Sequence, residues 1–201
     1  EGVEWSWTEP ESDLKKTELH AVHKELGGKL VPFAGWEMPV RYSTVMEEHQ
    51  AVRTGAGLFD VAHMGVYQAE GGEAAAFLDS VCGNDIGGLD VGESCYTHFL
   101  TPKGDVIDDT LVYRRGKTVF LVVVNAVNFD KDWAWLNAVN EGRVTLDVDR
   151  PWVHALHDVT LRDLHDASSG ADQCVDLALQ GPASRDVLLA CVEDERLRQR
   201  V

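Results

Sequence analysis

The stretch D-V-I-D-D-T-L-V-Y-R at residues 105–114, followed after a short turn by V-F-L-V-V-V-N at residues 119–125, decides the fold. Val106 to Arg114 and Val119 to Asn125 are rich in β-branched and aromatic residues and flank Arg115-Gly116-Lys117, the pattern of a β-hairpin. The second arm is apolar on both faces, which predicts a central strand. Alternation predicts two more strands, one through Val144, Leu146 and Val148 and one through Val175, Leu177 and Leu179. Helical spacing appears on either side. Leu19, Val22 and Leu26 precede the stop Gly27-Gly28, a second helix runs from Thr44 to Arg53, and Ala74, Phe77, Leu78 and Val81 mark a third. A fourth takes Asn128 as N-cap, places Asp130 and Asp132 in its first turns, where the dipole favours acids, and buries Phe129, Trp133 and Leu136. A fifth opens at Gly181-Pro182, with proline at the first helical position. Interleaved helices and a hairpin predict an α+β fold with antiparallel or mixed sheets and packed helices.

Three segments fall outside that pattern. Residues 1–13 hold five acids, no base, and both Trp5 and Trp7, and read as an acidic arm able to pack an aromatic on the body. V-P-F-A-G-W-E-M-P-V at residues 31–40 carries two prolines, which argue against regular structure, and its aromatic content predicts a loop over a core or pocket. Residues 151–173, rich in His, Asp and Ser, read as a long excursion from the sheet.

The 201 residues carry 18 Lys+Arg against 34 Asp+Glu, a formal charge of −16, which excludes a nucleic-acid binder working by phosphate neutralisation. The acidic excess fits either a hydrated surface or a patch selecting a basic partner. With 44% hydrophobic residues the chain can bury a core. Its longest apolar run, Val119 to Val124, is far below the roughly 20 residues of a spanning helix, so no membrane association is expected. Four cysteines without C-x-x-C spacing suit reduced thiols in a cytosol-like compartment. The first residue is Glu rather than Met, and the chain is expected to be part of something longer.

Among candidate chemistries, His20/His23 and His154/His157 are each spaced three apart but lack a third ligand at a recognised distance, so no metal site is expected. G-x-S-x-G, G-x-G-x-x-G and the phosphate-loop pattern are absent. The adjacent Asp108 and Asp109 are more informative. Neighbours on a strand point to opposite faces, so one carboxylate at most is directed at a given site. Either it enters an aromatic-lined pocket, where burial and hydrogen bonding tune it, or both acids are solvated turn residues.

Read together and in order, P-F-A-G-W-E-M-P-V, E-E-H-Q-A-V-R, G-L-F-D-V-A-H-M-G, D-V-I-D-D-T-L-V-Y, V-V-V-N-A and L-A-L-Q-G-P resemble the T-protein of the glycine cleavage system, a tetrahydrofolate-dependent aminomethyltransferase family, from about Thr17 to Val187. The resemblance implies that residues 14–201 are the N-terminal part of a folate-binding domain, with later domains absent. It implies an aminomethyl substrate carried by the lipoylated H-protein, with folate as co-substrate and ammonia released. It assigns the catalytic role to Asp109 and places Met64, Tyr96, Tyr113 and Asn125 around folate. From pattern alone Met64 and Tyr113 suit a core equally well, whereas an amide ending an apolar strand, as Asn125 does, needs a partner.

Departures from the family pattern are Ala62 in place of serine, Lys103-Gly104-Asp105 in place of paired glycines, and the length of residues 151–173. The family's G-Y-T-G-E segment lies beyond Val201, so the chain is expected to hold part of the cavity and to be inactive alone. A folate-dependent demethylase and a non-catalytic folate-binding module remain alternatives. Folate's anionic tail requires local cations such as Arg53, Arg114 or an arginine of the family's later segment. The expected location is the cytoplasm, or the mitochondrial matrix in a eukaryote.

Overall fold

The computed structural model describes residues 5–10, 12–147, 149–150 and 158–199. In chain order the elements are α1 (His20–Glu25), β1 (Lys29–Phe33), β2 (Trp36–Arg41), α2 (Val45–Thr54), β3 (Gly57–Asp60), β4 (Gly65–Glu70), α3 (Ala74–Val81), β5 (Ser94–Leu100), β6 (Val106–Gly116), β7 (Val119–Val124), α4 (Phe129–Asn140), β8 (Thr160–Asp163), β9 (Leu177–Gln180) and α5 (Ser184–Cys191). They divide into two compact units, residues 1–11 with 64–175 and residues 12–63 with 176–201. The α+β class holds, and the pairings between these strands are antiparallel.

The first unit is built on a five-stranded sheet in the order β5-β6-β7-β4-β8. The hairpin β6–β7 forms as expected, and β7 lies between β6 and β4, which explains its apolar character on both faces. The core gathers on one face. Phe99, Val112, Phe120, Val122, Val124, Tyr67 and Ala69 from the strands pack with Phe77, Leu78 and Val81 of α3 and Trp135, Leu136 and Val139 of α4. Each large side chain fully removed from water contributes about 1.5–3 kcal/mol. The four residues spaced along α3 are the ones it buries. Trp5 of the acidic arm meets Trp135 edge-on, with ring centroids 5.2 Å apart.

In α4 the buried residues are Asp132, Trp135, Leu136, Ala138 and Val139, so Leu136 is buried as expected while the rest of the stripe shifts. Phe129 and Trp133 are half-buried, and Asn128 stands at the N-cap without a side-chain cap bond. The expected strand at 144–148 does not form over its described residues; Val144 and Leu146 pack on the core from irregular chain, and Val148 lies outside the described residues. The excursion after residue 150 is only partly one, since β8 returns to pair with β4. Residues 151–157, which include His154 and His157, lie outside the described residues.

In the second unit the proline-rich segment is a hairpin, not a loop. Its two strands need few ladder donors, so Pro32 and Pro39 are tolerated, and Ala34 (φ 49°) with Gly35 (φ 80°) turns the chain in the left-handed region that two-residue hairpins require. The pair β3–β9 is the other sheet of this unit. Helix α1 inverts its expected face: Leu26 is 67% exposed, and the buried side chains are His20 and His23. Polar anchors outweigh the apolar stripe. His23 lies 2.7 Å from Asp60 and 2.6 Å from the Tyr42 hydroxyl, Asp60 also accepts from Thr17 and the Ala62 amide, and His20 pairs with Glu37. These hydrogen bonds hold the Asp60 carboxyl below its ordinary value although burial pushes it up. Helix α2 carries the capping box Thr44/Glu47. Helix α5 begins at Ser184 with Ala183 as N-cap, so Pro182 sits in the preceding turn rather than at the first helical position.

Gly65 marks the closest approach in the first unit. A Cβ there would lie 2.4 Å from Cδ2 of Phe129 and 2.6 Å from Cγ2 of Val124. Gly65→Ala is expected to overpack the start of β4 and α4 and to destabilise the protein by about 1–3 kcal/mol, measured by urea unfolding.

Candidate functional site

Antiparallel pairing sets Asp109 of β6 opposite His98 of β5, Leu111 opposite Tyr96 and Tyr113 opposite Ser94. Period-two alternation puts Asp109, Leu111 and Tyr113 on the face away from the helices. Tyr96 is 60% exposed and Tyr113 37%. Asp108, one residue back, turns to the core side and is buried.

Asn125 ties the two acids together. The end of β7 places its Nδ2 3.0 Å from Oδ1 of Asp108 and 3.1 Å from both Oδ1 and the carbonyl of Asp109. Its backbone N–H also donates to Asp108. Tyr96 donates its hydroxyl to Oδ2 of Asp109 at 2.7 Å, so each oxygen of that carboxylate has a donor. Tyr96 is the largest cause holding Asp109 below its ordinary carboxylate value, with Asn125 and the nearby His98 adding to it against partial desolvation. The same bond pushes the Tyr96 hydroxyl up. His98 also packs edge-on to the Tyr96 ring at 5.6 Å. Asp109 is therefore an ionised carboxylate on an accessible, aromatic sheet face.

Of the residues singled out in the sequence, Asp109, Tyr96 and Asn125 are joined by direct hydrogen bonds. Tyr113 shares their face two pairs along the strand. Met64 directly precedes β4, one residue beyond the pair Gly65–Val124, as Asn125 is on β7. The turn-residue alternative for both acids fails, because both lie within β6 and are hydrogen-bonded. Arg114 is not free to meet an anion: its guanidinium donates to the carbonyls of Gly87, Leu89 and Lys117.

Three residues of the constellation escaped sequence reasoning. Asn128 donates to Asp108 at 2.6 Å instead of capping α4. Lys131 donates to the Ile107 carbonyl at 2.7 Å. Asp132 is wholly buried, and burial followed by the neighbouring Asp108 pushes its carboxyl up to about 9. A legible signal for Asp132 existed: it occupies position i of a stripe continued by Trp135, Leu136 and Val139. Among the described residues no group of three or more His, Cys, Asp or Glu side chains could hold a metal ion. No described helix is long and apolar enough to cross a membrane, and among the described residues the cysteines form no disulfide.

Fold and site thus define an α+β domain that presents one ionised carboxylate on an open sheet face. Residues 19–200 match the family described as the GCVT N-terminal domain, and the chain belongs to that family. It is 42% identical over 180 residues to an aminomethyltransferase of Bacillus velezensis, spanning 90% of this chain and 43% of the relative. An aminomethyltransferase of Deinococcus deserti is 41% identical over 89% of this chain and 44% of its own. The crystal structure of glycine cleavage system aminomethyltransferase T from Bartonella henselae superposes with a TM-score of 0.75 at 32% identity, covering 89% of this chain and 44% of that one. The chain therefore spans less than half the length of these relatives.

Tyr96→Phe is expected to raise the Asp109 pKa, read by carboxyl NMR titration. A carboxylate depressed in the folded state adds stability that is present above the ordinary carboxylate range and lost as pH falls through the folded value. The variant should lose part of that stability, so its acid unfolding should begin at higher pH than that of the wild type.

Proposed function

We propose that the intact protein is a tetrahydrofolate-dependent aminomethyltransferase of the glycine cleavage system. The substrate is the aminomethyl group on the dihydrolipoyl arm of the H-protein, and the expected location in a bacterium or archaeon is the cytoplasm. The observation that carries the reading is the ionised Asp109, held by Tyr96 and Asn125 at the edge of an accessible aromatic face.

The residues present fit a folate. Tyr96 and Tyr113 offer aromatic surface for a flat pterin and benzoyl ring, and Met64 offers a polarisable thioether just before β4, alongside the Asn125 end of β7. The carboxylate of Asp109 accepts from an amine N–H and so can orient the nitrogen lone pair toward the methylene carbon. As positive charge develops during loss of ammonia, the same carboxylate stabilises it without reorganising, since both of its oxygens are already anchored. Folate supplies the two nucleophilic amines. Overall, two N–H bonds of folate and the C–S and C–N bonds of the aminomethyl group break. Two new C–N bonds form, and the two protons leave on the dihydrolipoyl thiol and on ammonia.

Positioning is the larger part of Asp109's task, and Asn125 and Tyr96 share it by fixing the carboxylate. Incubation of the intact protein with aminomethylated H-protein and tetrahydrofolate should release ammonia. Asp109→Asn should lower that rate by about 10²–10³-fold with little change in thermal stability; an undiminished rate in a folded variant removes Asp109 from the mechanism.

A further inference from the structure

Behind the site lies a carboxyl that the transfer as derived does not use. Asp132, in the first turn of α4, is 0% exposed; among the described residues no N–H or O–H group donates to either of its oxygens, and its hydrogen-bond contact is with another carboxyl, that of Asp108. A buried acid without donors costs folding free energy unless it stays neutral or something compensates it. The titratable and charged groups around it come from three elements. Its own helix supplies Lys131, whose ammonium is already bound to the Ile107 carbonyl, β6 supplies Asp108 and Asp109, and β4 supplies Tyr67, whose hydroxyl donates to the Phe129 carbonyl. Of the two acids Asp108 acts on it more strongly, and Asp108 already takes donors from Asn125 and Asn128.

Two buried carboxyls side by side share a proton rather than both ionise. The one with amide donors keeps the charge, because hydrogen bonds favour the ionised form. Asp108 has those donors, and Asp132 does not. We propose that Asp132 is a positioning residue whose protonated carboxyl donates to Asp108, clamping it from the helix side and so fixing Asn125 and the presentation of Asp109. The chain of contacts runs from α4 through Asp108 to Asn125, whose single Nδ2 serves both carboxylates. Losing the clamp lets Asp108 shift, and that shift alters what Asn125 offers Asp109. The inference rests on the aminomethyltransferase reading for its catalytic consequence, but the protonation and the clamp can be measured without it.

Carboxyl-carbon NMR of the intact wild-type protein at pH 7 should find Asp132 protonated; an ionised Asp132 overturns the proposal without any variant. Asp132→Asn keeps a donor toward Asp108 and should retain ammonia release within about threefold, whereas Asp132→Leu should lower it by about tenfold or more. The leucine variant should also displace the Asp109 titration, which a purely structural lesion would leave in place. Stability supplies an independent readout. An acid raised from 3.8 to about 9 on folding holds an extra proton in the native state, so the stability it confers declines as pH rises across that interval. The wild type should therefore lose stability relative to Asp132→Asn between those values, and parallel curves overturn the proposal. So does a folded Asp132→Leu variant with an unmoved Asp109 titration. If the wild type releases no ammonia, the functional reading fails, while the NMR and stability measurements still decide the clamp.

Discussion

One amide holds the site together. Asn125 stands where β7 ends, and its Nδ2 reaches an acid on each side of β6, one facing the core and one facing outward. Strand alternation would otherwise separate Asp108 and Asp109 permanently, since adjacent side chains leave a sheet in opposite directions. The bridge works because the carboxylates flank a point just past the last ladder pair, Thr110 with Val124, where the backbone no longer blocks the way between faces. Exposed charge and buried charge are thereby coupled. Whatever moves the inner acid reaches the outer one through the amide that serves both.

This arrangement also explains why the chain can carry an ionised acid on a strongly acidic surface. Asp109 is surrounded by neutral donors and by His98 on the opposite strand rather than by lysine or arginine. Neutral donors hold the carboxylate in place without an ion pair. Arg114, the nearby cation on the same strand, is spent on three loop carbonyls and holds the turn after α3 instead.

The hairpin at 106–125, the helix at 74–81 and the pairing of the two acids with the face of a sheet were legible because each rests on local periodicity. The helix α4 was legible in extent but not in phase. Phe129, Trp133 and Leu136 make a plausible stripe, yet a carboxyl takes the buried place because a second carboxyl waits for it across the helix–strand contact, which no local pattern records. Helix α1 failed for a related reason: His20 and His23 point inward to Glu37 and Asp60, partners 17 and 37 residues away in sequence. The hairpin at 29–41 was hidden by its prolines, harmless in a two-stranded ribbon and damaging in a wide sheet. Of the site, Asp109, Tyr96 and Asn125 could be named from motif resemblance, whereas Asn128, Lys131 and Asp132 acquire meaning only once α4 is laid against β6.

The pairing of β3 with β9 bears on how the chain folds. All of residues 64–175 lie between those two strands, so the smaller sheet is closed by segments at opposite ends of an insertion. The entropy of closing so long a loop grows only slowly with its length, by about 0.6 kcal/mol per doubling, but the encounter itself becomes slow while the insert is unfolded. A compact insert draws those ends toward each other before they pair. The order of events then follows from connectivity alone: the five-stranded unit can form from contiguous chain, and the β3–β9 ladder is the late step that depends on it.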